Sequence, residues 1–393
     1  MVINNYIMSL VWILFQVIIG YNLVLPFILY LLNLFVKQKS NVTDNIDYDY
    51  AIIVTAYEQT HMLQTAVDSI LNLNYKNYHV YIVADNCKID NLNMSDSRVT
   101  LLRPEITLAS NIKSHFYAIE RFIRNHDILT IIDSDNLVDP EYINELNKFF
   151  DQGFLAVQGV REAKNLNTRI ACLDAARDLY YNFYDSKILF TLGSSSTLAG
   201  SGMAFITELY KECLEHIEIS GAGFDKVLQT QIVKNDLRIA YAAKAIVYDE
   251  KTTHSKQLIN QRSRWINTWF KYFVNGFKLV LLSIQTKSIN QFLFGIIILR
   301  PPLFIFILLS FSCFVVSVFF NPLHAVFWLF AFFIFILGFI LALKKQNSSR
   351  EVNKSLMSIP IFIFYQLISL YYSRIANKRS VATKHSRLGS IND

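Results

Sequence analysis

The chain has 393 residues, 53% of them hydrophobic and 17% charged, with a formal net charge of +6. That is more apolar than an ordinary soluble domain, and the excess sits at the two ends, around a polar middle from about Lys37 to Arg264. Much of the positive charge flanks the apolar runs, at Lys37, Lys39, Lys344, Lys345, Arg350, Lys354, Arg374, Lys378, Arg379, Lys384 and Arg387. This distribution argues against a nucleic-acid partner and for membrane lipid, with the basic flanks on the cytoplasmic side.

The first apolar run, Tyr6 to Val36, carries no charge and exceeds the roughly 20 residues that a spanning helix needs. A cleaved signal peptide would have a basic residue ahead of the run and a small-x-small site after it, and the run has neither. Residues 1–38 therefore read as a transmembrane helix, with Lys37 and Lys39 placing the next segment in the cytoplasm. From Tyr50 the pattern changes. Ala51 to Val54, Val80 to Val83 and Ile128 to Ile132 are apolar runs of strand length, with a shorter one at Val99 to Leu102. His61 to Leu73 and Ile112 to Ile123 carry apolar residues at helical spacing. Apolar strands alternating with amphipathic helices predict an α/β domain, over 48–260, with a mostly parallel sheet covered on both faces. Ligands then sit beyond the carboxyl ends of the strands.

After Arg264 the chain turns apolar again. Trp265, Trp269, Phe273 and Phe277 recur every fourth residue, as in a helix lying in the membrane interface; packing on the soluble domain is the other reading. This segment, 261–288, precedes C-terminal membrane helices over 289–373 and a basic tail over 374–393. Leu303 to Phe320 can span, Asn321-Pro322 makes a turn, and Leu323 to Leu343 spans back toward Lys344 and Lys345. Ile359 to Tyr372 is short, and crossing would put the basic tail outside; an interfacial or re-entrant helix fits the charge better. Cys87, Cys172, Cys213 and Cys313 form no CxxC pair or zinc spacing and read as reduced buried thiols.

The chemistry is concentrated at the strand ends. Asp133-Ser134-Asp135 closes an apolar strand, and alternation puts both carboxylates on one face. Such a pair repels unless a cation sits beside it. Mg²⁺ or Mn²⁺ bridging diphosphate oxygens is the natural partner; a solvated turn capping the next helix is the alternative. Asp85 closes the preceding long strand, as a ligand residue or a turn residue. Gly200-Ser201-Gly202 can bring backbone close to a ligand or make an ordinary turn. Asp225 heads a helix-like stretch, where an N-cap is the bland reading. Gln261-Arg262-Ser263-Arg264-Trp265 is a polar-aromatic cluster beside the membrane segment, where arginine can also be a simple anchor.

In order, Val54-Thr55-Ala56-Tyr57-Glu58, Asp85, Asp133-Ser134-Asp135, Val157-Gln158-Gly159, Gly200-Ser201-Gly202, Asp225, Tyr248-Asp249-Glu250 and the QxxRW motif Gln261 to Trp265 form a specific set. From Tyr50 to Phe273 the chain resembles the family 2 glycosyltransferases, especially membrane-bound synthases of the cellulose, chitin and hyaluronan type. The resemblance implies a GT-A-type domain that takes a nucleotide-sugar, UDP-linked by family expectation, with Mg²⁺ or Mn²⁺. It implies that Ala56, Tyr57, Glu58 and Asp85 hold the base. Lys113 would lie near the phosphates, Asp133 and Asp135 at the sugar-diphosphate and metal, and Arg264 near the diphosphate. Gln261 and Trp265, with Gly200, Ser201 and Gly202, would form the acceptor side. Asp225 falls where the family has its general base, although the usual preceding Glu is Phe224 here; Asp249 and Glu250 are reserve candidates.

The implied reaction is inverting transfer to a lipid-linked or polysaccharide acceptor, by an integral protein of the plasma or inner membrane with a cytoplasmic catalytic domain. QxxRW favours a processive polymerase within the family, whereas three runs of roughly 20 residues argue against a large secretion channel. A Rossmann dehydrogenase is disfavoured because Ala56-Tyr57-Glu58-Gln59, not a glycine-rich turn, follows the first strand. A catalytically inactive partner of an assembly or export complex is the alternative, and Phe224 is the only residue that favours it.

Overall fold

The computed structural model describes residues 2–36, 46–89, 92, 94–219 and 221–376. Lys37, Lys39, Lys378, Arg379, Lys384 and Arg387, whose charge set the predicted topology, lie outside them. A long helix, α1 (Val2–Asn33), leads to the α/β domain. There β1 (Tyr50–Tyr57), α2 (Leu63–Leu71), β2 (Tyr78–Asp85), β3 (Val99–Leu102), α3 (Asn111–Ile119) and β4 (Ile128–Asp133) follow the predicted alternation. The second half adds β5 (Leu137–Val138), α4 (Tyr142–Phe150), β6 (Ala156–Ala163) and α5 (Arg169–Tyr181). A π-helical turn (Asn182–Ile188) and the short α6 (Leu189–Thr191) precede β7 (Met203–Ile206), α7 (Thr207–Leu214), α8 (Phe224–Lys234) and β8 (Ile239–Asp249).

The eight strands form one sheet in the order β3-β2-β1-β4-β7-β6-β8-β5. β1 to β4 pair in parallel, β7 runs antiparallel to both β4 and β6, and β6 is parallel to β8. Strand alternation divides the core. Ile52, Val54, Val80 and Ile82 pack under α2 and α4 on one face. Ile53, Tyr81, Val83 and Ile131 pack under α3, α7 and α8 on the other. The parallel register sets Asp85 beside Tyr57 and Asp133 beside Thr55, so the polar residues that end three strands share one edge.

The remaining helices are α9 (Ser255–Tyr272), α10 (Val274–Thr286), α11 (Ile289–Leu299), α12 (Leu303–Phe320), α13 (Pro322–Lys345), α14 (Arg350–Ser355) and α15 (Ile359–Tyr372). Among the described residues, four helical segments are long and apolar enough to cross a membrane: Ile7–Asn33, Leu303–Phe320, Pro322–Lys345 and Arg350–Ile375. The fourth is longer than the apolar run Ile359 to Tyr372 because the polar turn of α14 continues into it. α1, α12 and α13 pack together, joined by a polar cluster. Ser317 Oγ and Trp328 Nε1 donate to Gln16 Oε1 at 3.3 and 2.9 Å, and Gln16 Nε2 lies 3.1 Å from His324 Nδ1.

The aromatic stripe divides at Phe273, where α9 ends and α10 begins. Trp265 and Trp269 turn inward to a cavity, whereas Phe277 is exposed with Leu281 and Ile284 on α10. One helical period cannot carry a single face across that break.

Candidate active site

A cavity of about 670 Å³ opens at the carboxyl edge of the sheet and continues beneath α9 to the Arg300-Pro301-Pro302 junction. That volume is within the usual range of ligand sites. It brings together Ala56, Tyr57, Asp85, Asp133, Asp135, Gly200, Asp225, Gln261, Arg264 and Trp265. Four expected residues do not line it. Glu58 is exposed at positive φ (59°) at the end of β1. Lys113 is exposed on α3. Ser201 and Gly202 are buried behind the wall.

Asp85 is buried, and its two carboxylate oxygens accept from the backbone N–H groups of Leu108 and Ala109 at 2.9 and 2.7 Å. It therefore fixes the loop before α3 as well as facing the cavity. Ser201 serves the aspartate pair from behind. Its Oγ accepts from the Asp133 backbone N–H at 3.0 Å and donates to Asn136 Oδ1 at 2.6 Å. Asn136 Nδ2 in turn donates to Asp135 and Asp249, both at 3.3 Å. Gln158 braces the same loop, donating to the Ser201 carbonyl and accepting from the Ala199 N–H. Its neighbour Gly159 is obligatory, since a Cβ there would collide with the Ala245 carbonyl.

Burial, and then the charge of Asp135, push the Asp133 carboxyl up to about 7; Asp249 and Asp225 add to the rise, and Arg161 opposes it. Asp249 behaves oppositely. Burial alone would raise it, but Arg161 and Lys251, each 2.8 Å away, hold it well below the ordinary carboxylate range. A carboxylate so firmly ionised is a poor proton acceptor at neutral pH.

Asp225 stands in the first turn of α8, beside Lys226 Nζ at 3.0 Å. Gly223 caps that helix at φ 108°, and a Cβ there would lie 2.6 Å from Tyr272 and 2.7 Å from Thr268. Positive φ and close contact at Gly223 thus fix the start of α8 against α9. Phe224 is buried, with its ring 5.1 Å from that of His115. It serves the core where the family usually has a carboxylate.

The QxxRW spacing is a helical stripe. Gln261, Arg264, Trp265, Thr268 and Trp269 lie at i, i+3, i+4, i+7 and i+8 on α9, and all line the cavity. The guanidiniums of Arg262 and Arg177 lie 4.1 and 4.6 Å from the Trp265 ring centroid. Each is matched by acid: Arg262 pairs with Asp174, and Arg177 with Asp174 and Asp178.

Residues 48–268 match the family model described as "Glycosyltransferase like family 2". The chain belongs to the family 2-like glycosyltransferases. Its sheet and helices are of the GT-A type, and it is a glycosyltransferase. No curated protein matches it. Among solved structures it is similar to the mannosyltransferase PcManGT from Pyrobaculum calidifontis in complex with GDP-Man and Mn²⁺, with TM-score 0.59 and 14% identity over 93% of this chain and 100% of that one. It also matches S. aureus TarS 1-349, with TM-score 0.41 and 14% identity over 84% and 90% of the two chains.

Several site residues of this glycosyltransferase escaped the sequence reading. Arg161 could have been noticed as a charge near the end of an otherwise apolar strand, and Asn136 as the neighbour of Asp135. Lys251 had no local signal, because its role depends on α5 meeting the end of β8, and Arg177, whose acid partners are its own neighbours Asp174 and Asp178, reaches the site only by stacking on Trp265 of α9.

Proposed function

We propose that this glycosyltransferase is membrane-embedded and inverting, moving a sugar from a nucleotide-sugar to a lipid-linked or glycan acceptor with a divalent cation. The observation that carries this reading is the convergence of Asp133, Asp135, Asp225 and the QxxRW stripe on one cavity that reaches the membrane helices. The donor set suits Mg²⁺ or Mn²⁺. Two carboxylates crowd at one strand end, and no cluster of three or more His, Cys, Asp or Glu occurs among the described residues. Such cations are commonly held by one or two carboxylates, with phosphate oxygens and water completing the shell. Bound there, the cation would supply neutralisation of charge on the leaving diphosphate.

The chain's own residues supply the rest. Asp85 and the loop it holds, with Ala56 and Tyr57, bound the base end of the donor. Arg264 is the cationic group of the stripe for the diphosphate, where charge develops in the transition state. Asp225 takes the proton from the acceptor hydroxyl as it attacks the anomeric carbon. Attack opposite the leaving group turns an α-linked donor into a β-linked product. The cytoplasm is the expected side of the domain, because the basic ends at Lys344 and Lys345 lie toward it.

The test is release of nucleoside diphosphate from a panel of UDP- and GDP-sugars by the full chain in detergent with added membrane lipid. GDP-mannose belongs in the panel because PcManGT is in complex with it. Turnover of one donor, lost on chelation and in Asp135→Ala and Asp225→Ala, is the expected result. No turnover of any donor would favour the inactive-partner reading.

A further inference from the structure

On the membrane side of the cavity, two amides have no hydrogen-bond partner among the described residues. α15 reads IPIFIFYQLISLYY, and its single amide, Gln366, is 8% exposed, lines the cavity and has no hydrogen-bond partner among the described residues. Polar side chains within apolar membrane segments are costly and tend to be functional. Asn182, which begins the π-helical turn, lines the same cavity and likewise has no side-chain partner among the described residues. π-turns occur frequently at functional sites. This one is held by the membrane helices. Asp185 accepts from Arg300 Nη1 at 2.7 Å, and Tyr184 OH donates to the Gly338 carbonyl at 2.8 Å.

Each guanidinium at this end already has a carboxylate partner. Arg300 is paired with Asp185, and Arg177 and Arg262 with Asp174 and Asp178. Beside the paired guanidiniums, the neutral hydrogen-bonding groups here are the amides of Asn182 and Gln366 and Gln261 Oε1, also unpartnered among the described residues, next to the aromatic wall of Trp265 and Trp269 and the apolar Leu303 at the start of α12. Neutral amides and aromatic faces suit a sugar ring, and the apolar start of α12 suits a lipid chain.

We propose that Asn182 and Gln366 are specificity-determining residues of an acceptor subsite for the neutral sugar head of a glycolipid. This rests on the glycosyltransferase reading of the cavity, but it is tested without turnover. The full chain is placed in nanodiscs of phosphatidylcholine and titrated with octyl β-glucoside and octyl β-galactoside, each below its micellar concentration. Octyl phosphate and free glucose and galactose serve as comparisons, with tryptophan fluorescence as the readout. Saturable binding of an alkyl glycoside is expected, weakened about tenfold by each of Asn182→Ala and Gln366→Leu. UDP and GDP binding, measured in the same samples, should be unchanged by either substitution, which also reports that the domain is folded. Preference for octyl phosphate, equal binding of the free sugar, or wild-type glycoside affinity in both variants would each overturn the proposal. Failure of the donor panel with alkyl glycoside binding intact would instead overturn the catalytic reading alone.

Discussion

The two halves of the cavity are built by different means. The sheet half, proposed to take the donor, uses the ends of adjacent parallel strands. Tyr57, Asp85 and Asp133 meet because β1, β2 and β4 are in register, and each closes an apolar run. The helical half is assembled from α5, the π-turn, α9, the Arg300 junction and α15, whose side chains come together only when separate helices dock. Strand ends place chemistry by local rules, so it is visible as short motifs. Helix docking places it by long-range packing, so its residues are scattered singly.

Substitutions can separate the halves. The largest effect should come from Asp225→Asn, which leaves the carboxyl's shape but cannot take a proton. Transfer should fall by about 10²- to 10⁴-fold while UDP or GDP affinity stays within a few-fold, as read by steady-state kinetics and direct nucleotide binding. A proportional loss of nucleotide binding would place Asp225 in the donor half instead.

Next is Asp249→Asn, which leaves Arg161 and Lys251 without their shared carboxylate. Breaking a buried ion pair costs about 3–5 kcal/mol, so thermal unfolding in detergent should shift downward clearly. The same variant has a pH consequence. Because Asp249 is held below its unfolded value, its stabilisation is fully present above the unfolded carboxylate pKa and is lost as pH falls toward the folded one. Asp249→Asn should therefore flatten the acid side of the stability profile. An unchanged acid limb would mean that the network is not what holds β6, β8 and α5 together.

Gly223→Ala is smaller and lies at the seam between the halves. A positive φ and contacts with Tyr272 and Thr268 should cost about 1–3 kcal/mol. The shift of α8 should lower kcat more than donor affinity. The smallest effect is expected of Gln16→Leu in the polar cluster of α1, α12 and α13. Interhelical hydrogen bonds in membranes are worth about 0.6–2 kcal/mol, so stability in detergent should drop slightly with donor turnover intact. A loss of turnover would show that the spanning bundle shapes the cavity.

The sequence by itself determined the class of fold, the carboxylates at the strand ends and the apolar ends. Strand alternation, helical periodicity and spanning length are properties of a few consecutive residues, and Ile128 to Asp135 carries its strand and its acids together. It also located Asp225, through its place in the order of motifs, though not what surrounds it. Only the tertiary structure decided which neighbours set each group's charge. Asp249 is pinned by Arg161 and Lys251. Ser201 stands behind Asp133, and Lys113 lies outside the cavity. Asn182 and Gln366, separated by almost half of the chain, face one space. Charge stabilisation and subsite geometry depend on distances across elements, and no local pattern encodes those until the helices have packed against the sheet.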